Sequence, residues 1–333
     1  MSEIYDLVRV AISHVITHCA VPTFFLIGGY LFFTKLQEWD WGVWKTKMRS
    51  RTHTILIPYF VWCSISIADT LLRKVAGCLI KAKPWSGISQ WLNENGWLHL
   101  YWDSNMWNID RTNMLGWLVP SSSPCLVPFW FMRDMIIVIV FTPVLFWCIR
   151  HLRFAFILLL TFCYILGIWI PISGFSSLAT LYFCIGAYLT LTKKDLAISF
   201  HKYRYAFYLV ALFLFPIMVF YNGHETEIGN LIYPFYIISM VGTVISVATS
   251  IVKSGRGRIS MSLSNTTFFI FAAHVFLLPY VNKIVHKTTD IMGVYGDLIA
   301  YFIIPLLTVA ICIVICCLLK KYSPKFAIII GCR

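Results

Sequence analysis

The sequence predicts an all-α fold, a polytopic transmembrane helix bundle of about nine spans, and three observations support this prediction. Of the 333 residues, 59% are hydrophobic and only 12% are charged, whereas soluble domains carry about 25% charged residues. Apolar runs of near-spanning length follow one another along the chain. Lysine and arginine collect in alternate loops, as in membrane proteins. The formal net charge of +13 therefore indicates cytoplasmic loops and membrane lipid, and nucleic acid is not predicted as a partner.

The nine predicted spans are uninterrupted apolar runs, whose edges a sequence pattern places only approximately. They cover residues 15–33, 54–72, 128–149, 153–172, 175–192, 203–221, 229–252, 265–283 and 295–319. We expect a single membrane-embedded domain over residues 1–333, with one long loop at about 73–127.

Lysine and arginine are distributed unevenly between the two sides of the predicted bundle. Of 27 such residues, 18 fall in one alternating set of loops, 8 fall in the other, and Arg133 lies inside a span. The positive-inside rule assigns the richer set to the cytoplasm. The C-terminus is therefore expected inside, and Met1 outside, because the number of spans is odd.

The first residues have the spacing of an amphipathic helix. Ile4, Val8, Ile12 and Val15 recur near helical spacing, which is typical of a short helix lying at a membrane surface. Such a helix normally follows a span. The pattern therefore predicts one further transmembrane helix upstream of this chain.

The loop at about 73–127 contains six tryptophans and two cysteines. Indole prefers the headgroup region, but it also stacks on the apolar face of a sugar ring, and the sequence leaves both interpretations open. Cys78 and Cys125 could form a disulfide if this loop is exported. The six tryptophans are Trp85, Trp91, Trp97, Trp102, Trp107 and Trp117.

Three stretches have recognisable motifs: VPTFFLIGGYLFF at residues 21–33, KMRSRTHTILIPYFVW at 47–62 and PFWFMRD at 128–134. In order and spacing they resemble the integral-membrane acyltransferase family 3, O-acyltransferases that modify sugars on envelope glycans and lipids. The chain has Gly28 where that family usually has serine. The resemblance implies ten core helices in a bacterial inner membrane, acetyl-CoA or another acyl-CoA as donor, and a sugar hydroxyl of an envelope polysaccharide or lipid-linked glycan as acceptor.

One motif of the family has no counterpart. Its first helix carries an arginine followed about ten residues later by a histidine, the expected base. Arg9 is followed by His14 and His18 at other spacings, so neither receives that role. The chain as written is therefore expected to transfer acyl groups weakly unless an upstream helix is supplied. The alternative is a non-catalytic or transporter-like membrane protein, although the inverted repeats of transporters are not seen.

The candidate catalytic residues are Arg133, Asp134 and His274. Charges inside a span are functional candidates, but Arg133 and Asp134 could also form an ion pair that only anchors the helix. His274 lies deep in a span, where it could transfer a proton or orient a group near neutral pH, or could only hydrogen-bond to a neighbouring helix. No metal is predicted, because His14 and His18 at i, i+4 provide only two ligands.

The candidate donor-binding residues are Lys47, Arg49 and Arg51, in a predicted cytoplasmic segment. Guanidinium groups suit bidentate contacts to phosphate, so these residues could clamp the phosphates of an acyl-CoA. The same cluster could also serve only to orient the chain in the membrane.

Overall fold

The computed structural model describes residues 3–34, 36–112, 118–224, 226–255, 257 and 260–332. The chain divides into two compact units. The central unit is Val21–Leu196, and the terminal unit combines Met1–Ala20 with Ala197–Arg333. The expectation of one domain over residues 1–333 stays a prediction.

The central unit begins inside α2 and is mostly helical. Its helices are α2 (Ala20–Phe33), α3 (Trp41–Arg51), α4 (Ile57–Lys81), α5 (Ser86–Asn95), α6 (His99–Trp102), α7 (Trp130–Val140), α8 (Thr142–Leu152), α9 (Phe154–Leu166) and α10 (Ser177–Leu191). A π-helical turn, Thr52–Leu56, joins α3 to α4. Side chains cap the N-termini of α3 and α10. The Asp40 carboxylate accepts a hydrogen bond from the Val43 N–H at 2.9 Å, and the Ser176 hydroxyl accepts one from the Ala179 N–H at 3.2 Å, as N-cap residues do.

The described part of the terminal unit is mostly helical. Its helices are α1 (Glu3–Arg9), α11 (Leu196–Lys202), α12 (Arg204–Phe220), α13 (Glu227–Lys253), α14 (Met261–Ser264), α15 (Thr267–Thr289), α16 (Val294–Tyr322) and α17 (Pro324–Ile329). Proline lies inside α12, α13, α15 and α16, at Pro216, Pro234, Pro279 and Pro305. Membrane helices tolerate such breaks because neighbouring groups satisfy the freed carbonyls.

The all-α prediction is confirmed, but the structure contains fewer candidate spans than the nine predicted. Five helices are long and apolar enough to cross a membrane, or seven if each of two pairs bent by 65° counts as one span. The remaining predicted spans, 153–172 and 175–192, correspond to α9 and α10, which have 13 and 15 residues. At 1.5 Å per residue, such helices reach only about 20–23 Å, short of the roughly 30 Å hydrocarbon core.

The N-terminal segment differs from its prediction. The helix does not stop before the first span, because Glu3–Phe33 is one run of 31 helical residues. Its regularity changes twice, in a π-helical turn at Val10–Val15 and a 3-10 turn at Ile16–Cys19. His14 lies in the first turn and His18 in the second. Such irregular turns are frequent at functional sites.

The predicted long loop is largely structured. Helix α4 continues to Lys81, α5 and α6 follow, and an antiparallel hairpin pairs β1 (Ser104–Thr112) with β2 (Leu118–Ser123). Trp91 is buried against Ile67 and Leu100, so this tryptophan packs inside the protein, a role that the sequence analysis does not include. Trp85 and Trp97 are exposed and keep both interpretations. Trp107 and Trp117 lie outside the described side chains.

The two loop cysteines are not joined to each other. Cys78 and Cys125 both have free thiols. The Cys78 thiol contacts the Pro84 carbonyl at 3.7 Å, whereas the Cys125 thiol lies 3.6 Å from the Cys63 carbonyl oxygen.

Candidate functional site

Arg133 and Asp134 lie at the beginning of α7, where the sequence places them. Pro128 lies in the short 3-10 turn Val127–Phe129, which leads directly into α7. Both side chains are almost completely buried, with 4% of Arg133 and 2% of Asp134 exposed. An isolated buried charge would be very costly, so the partners of the pair decide what it can do.

The Arg133 guanidinium uses every N–H that it has. Nη1 donates to the Trp102 carbonyl at 2.6 Å and to the Ser122 hydroxyl at 3.1 Å. Nη2 donates to the Ser122 carbonyl at 2.9 Å and to Asp134 Oδ1 at 3.1 Å, and Nε donates to the same oxygen at 3.2 Å. Arginine has five donors, so none is left for a substrate in this arrangement. The geometry favours a positioning role for Arg133.

Asp134 is held from two sides. Arg133 supplies two hydrogen bonds, and the Ser176 side chain, which also caps α10, supplies another. The carboxylate therefore joins the start of α7 to the start of α10. The predicted ion pair is confirmed as a contact, and it extends into a network that ties two helices and the preceding loop together.

The segment before α10 completes this network. Trp102 Nε1 donates to the Ser173 carbonyl at 3.1 Å, and the Ser122 hydroxyl donates to the Ser173 hydroxyl at 3.0 Å. At Gly174 a Cβ would come within 3.0 Å of the Trp102 ring and 3.1 Å of Arg133 Nε. Glycine lets the backbone approach the guanidinium this closely.

Tyr59, from the second motif, lies in the same part of the central unit. Its ring is fully buried and stacks on Phe129 at 5.9 Å between centroids, and its hydroxyl donates to the Tyr101 carbonyl. The second and third motifs therefore meet through Tyr59 and Phe129. The carbonyl that Tyr59 binds belongs to Tyr101, the residue next to Trp102, whose carbonyl Arg133 binds.

The predicted donor cluster is split by the helix that carries it. Lys47 and Arg51 are one helical turn apart on α3 and both half-buried, whereas Arg49 is exposed on another face. The Lys47 ammonium lies 5.3 Å from the centre of the Phe32 ring. Lys47 also lines a cavity of about 410 Å³ with Asp40, Gly42, Val43 and Thr46. The structure thus brings Lys47 and Arg51 to one face and separates Arg49 from them.

His274 belongs to the terminal unit and is half-buried in α15. Its Nδ1 lies 2.7 Å from the Phe271 carbonyl oxygen and 3.3 Å from that of Ile270. A carbonyl can only accept, so Nδ1 carries the proton, and in the neutral ring Nε2 keeps its lone pair. His274 is therefore oriented as a proton acceptor by its own helix.

A second histidine site escaped the sequence analysis. The rings of His18 and His224 lie 5.1 Å apart, and Tyr233 lies 5.8 Å and 5.0 Å from them. The Tyr233 hydroxyl is 3.2 Å from His18 Nδ1. His224 stands more than 200 residues from His18 in the sequence, and only its place between two apolar runs could have marked it. Among the described residues, no three His, Cys, Asp or Glu side chains group as a metal site.

This geometry defines a class of protein. The chain is a helical, multi-pass membrane protein with a buried Arg–Asp network at the start of one helix. The model of acyltransferase family 3, described as an acyltransferase domain, matches residues 3–317. The chain therefore belongs to this family of membrane acyltransferases. No curated protein and no solved structure matches the chain.

Proposed function

We propose that this chain transfers an acyl group, expected to be acetyl, from acyl-CoA to a sugar hydroxyl of an envelope polysaccharide or lipid-linked glycan in a bacterial inner membrane. The family match over residues 3–317 supports acyl transfer. The three motifs support the donor and acceptor classes by resemblance. No cofactor other than the acyl-CoA donor is proposed.

In this proposal each candidate residue has a separate task. Arg133 and Asp134 are positioning residues. They fix α6, through Trp102, and β2, through Ser122, against α7. Lys47 and Arg51 bind donor phosphate. His274 takes the proton of the acceptor hydroxyl at Nε2, as a general base requires a lone pair within reach of the proton that it removes.

The direct test is transfer of radiolabelled acetyl from acetyl-CoA. Membranes containing the chain are incubated with the donor, and glycan and lipid fractions are counted. Label in a fraction that mild base releases supports an O-acetyl product. A donor that is never consumed would contradict the proposal.

Donor binding should depend on one face of α3. In the Arg49→Ala, Arg51→Ala double variant, most of the loss of coenzyme A affinity is expected to come from Arg51, because Arg49 is on another face. A lost charge-assisted contact costs about 1.5–3 kcal/mol, or roughly tenfold or more in affinity. Calorimetric titration of the single variants measures this. Unchanged coenzyme A binding in a folded double variant would instead favour a topogenic cluster.

The general base is tested by alanine substitution. His274→Ala is expected to lower the transfer rate by about 10²- to 10⁴-fold, with coenzyme A affinity unchanged. His18→Ala, at the other histidine site, is the comparison. A large loss at His18 together with a small one at His274 would assign the base to the site that contains Tyr233.

The proposed topology places Met1 outside and Arg333 inside, and it rests on the 18 to 8 division of basic residues. Reporter fusions after Lys253 and after Asp290 are expected to report cytoplasmic and external positions, respectively. The reverse pattern would remove the donor-side assignment of α3 as well.

A further inference from the structure

A basic cavity lies at the end of the α7–α8 pair away from Arg133. It has a volume of about 430 Å³. Arg133 and Arg150 are 17 residues apart on two helices bent by 65°. No residue of the Arg133 network lines this cavity, so it is separate from the site described above. Its lining residues are Ile149, Arg150, Arg153, Tyr188, Leu191 and Thr192.

The cavity has an apolar floor and a cationic rim. Ile149 and Leu191 are buried, whereas Arg150 and Arg153 are exposed. The Lys194 ammonium lies 5.8 Å from the centre of the Tyr188 ring, which adds a third cation. Among the described residues that line the cavity, none has an acidic side chain. Within the described part of the chain, neither guanidinium has a hydrogen-bond or ion-pair partner, so the side-chain donors are available to a ligand.

Arg153 has a backbone conformation that favours glycine. It connects α8 to α9 with φ 51° and ψ −128°, a region in which a residue with a Cβ is strained. Strained residues of this kind cluster at ligand-binding sites. Arg153 therefore lies at the cavity rim in a conformation that glycine would adopt with less strain.

We propose that this cavity binds the phosphate group of an amphipathic ligand, with Arg150 and Arg153 on the phosphate and the apolar floor against its carrier. Two arginines suit a phosphate because the planar forks donate in pairs to its oxygens. Basic pockets between membrane helices bind lipid headgroups by the same chemistry. The phosphate could belong to an anionic lipid or to a soluble nucleotide, and the experiment separates these sources.

The experiment uses the full chain purified in detergent. Native mass spectrometry measures adducts of dioleoylphosphatidylglycerol, with dioleoylglycerol as the carrier that lacks phosphate. A thermal-shift titration with adenosine 3′,5′-bisphosphate tests the soluble source. We expect one phosphate probe to bind, and Arg150→Gln and Arg153→Gly each to weaken it at least about tenfold.

Lys193 provides a matched control. It is also a cation with positive φ, 56°, but it does not line the cavity. Lys193→Gly should change affinity less than about twofold, and Arg153→Gly should unfold at the same temperature as the parent chain or higher, because glycine relieves the strain. Arg150 lies within α8, so the effect of Arg150→Gln does not depend on the strained backbone of Arg153. Equal losses in Lys193→Gly and Arg153→Gly, equal binding of dioleoylglycerol, or binding of neither phosphate probe would overturn the site.

Discussion

Arg133→Met is expected to abolish acyl transfer and to destabilise the protein by about 3–5 kcal/mol, because it leaves the Asp134 carboxylate buried without its charge partner. Asp134 is 2% exposed, so water cannot replace the guanidinium. The Trp102 and Ser122 carbonyls lose their donor at the same time. Thermal unfolding in detergent measures the stability, and acetyl transfer measures the activity.

A surface ion pair of the same unit is the control. Arg73 donates to Asp69 at 2.8 Å, one helical turn away, and both side chains are exposed. Exposed pairs of this kind contribute about 0.3–0.5 kcal/mol, so Arg73→Met should leave unfolding and transfer nearly unchanged. Similar losses in the two variants would show that burial of the Arg133 network is not what matters.

The double variant Arg133→Met, Asp134→Leu separates charge from position. Removing both charges is often neutral for a buried pair, so this variant should recover the part of the stability that the lone carboxylate costs. The two carbonyls still lack a donor, and each unpaired buried group costs about 1–3 kcal/mol. Acyl transfer by the double variant should therefore remain abolished. Recovery of activity would mean that the network stabilises the fold and does nothing further.

A local pattern identifies Arg133 and Asp134 as candidate site residues, and the structure buries them together as an ion pair. Their part in acyl transfer stays a prediction. Arg133 and Asp134 are charges inside an apolar run, and that contrast is visible in seven consecutive residues. Their partners were not predictable, since Ser122 and Trp102 lie 11 and 31 residues upstream, and periodicity carries no information about which loop carbonyl folds back on a guanidinium. The same reason hides the contact between His18 and His224.

Helix positions were predictable because apolar runs and backbone helices coincide in a membrane, but helix ends were not. The run 153–172 continues past Leu166, where α9 ends, into the non-helical segment IWIP at residues 168–171. Hydropathy does not distinguish an apolar helix from an apolar extended segment, whereas Pro171 cannot donate to a helix. In the predicted loop, the hairpin of β1 and β2 was missed because tryptophan and serine there have no strict alternation.

Helix packing constrains one member of the glycine pair in the first motif, Gly29, but not the other, Gly28. A Cβ on Gly29 would lie 2.0 Å from the Phe183 carbonyl oxygen, and a Cβ on Gly186 would lie 2.0 Å from that of Leu26. Helices α2 and α10 therefore touch backbone to backbone, as membrane helices do at small residues. A Cβ on Gly28 would meet only the methyl end of Met135, at 2.9 Å.

Gly29→Ala should therefore destabilise the protein by about 3 kcal/mol or more, at the upper end of overpacking costs, because backbone atoms cannot move aside without separating α2 from α10. Gly28→Ser, which introduces the residue usual in the family, should cost less than about 1 kcal/mol, since the Met135 side chain can change rotamer. Gly186→Ala should match Gly29→Ala. The double variant should cost less than the sum of the two, because the first substitution already separates the helices. Thermal unfolding of the four variants tests this packing. Equal midpoints for Gly28→Ser and Gly29→Ala would mean that α2 and α10 do not pack through Gly29.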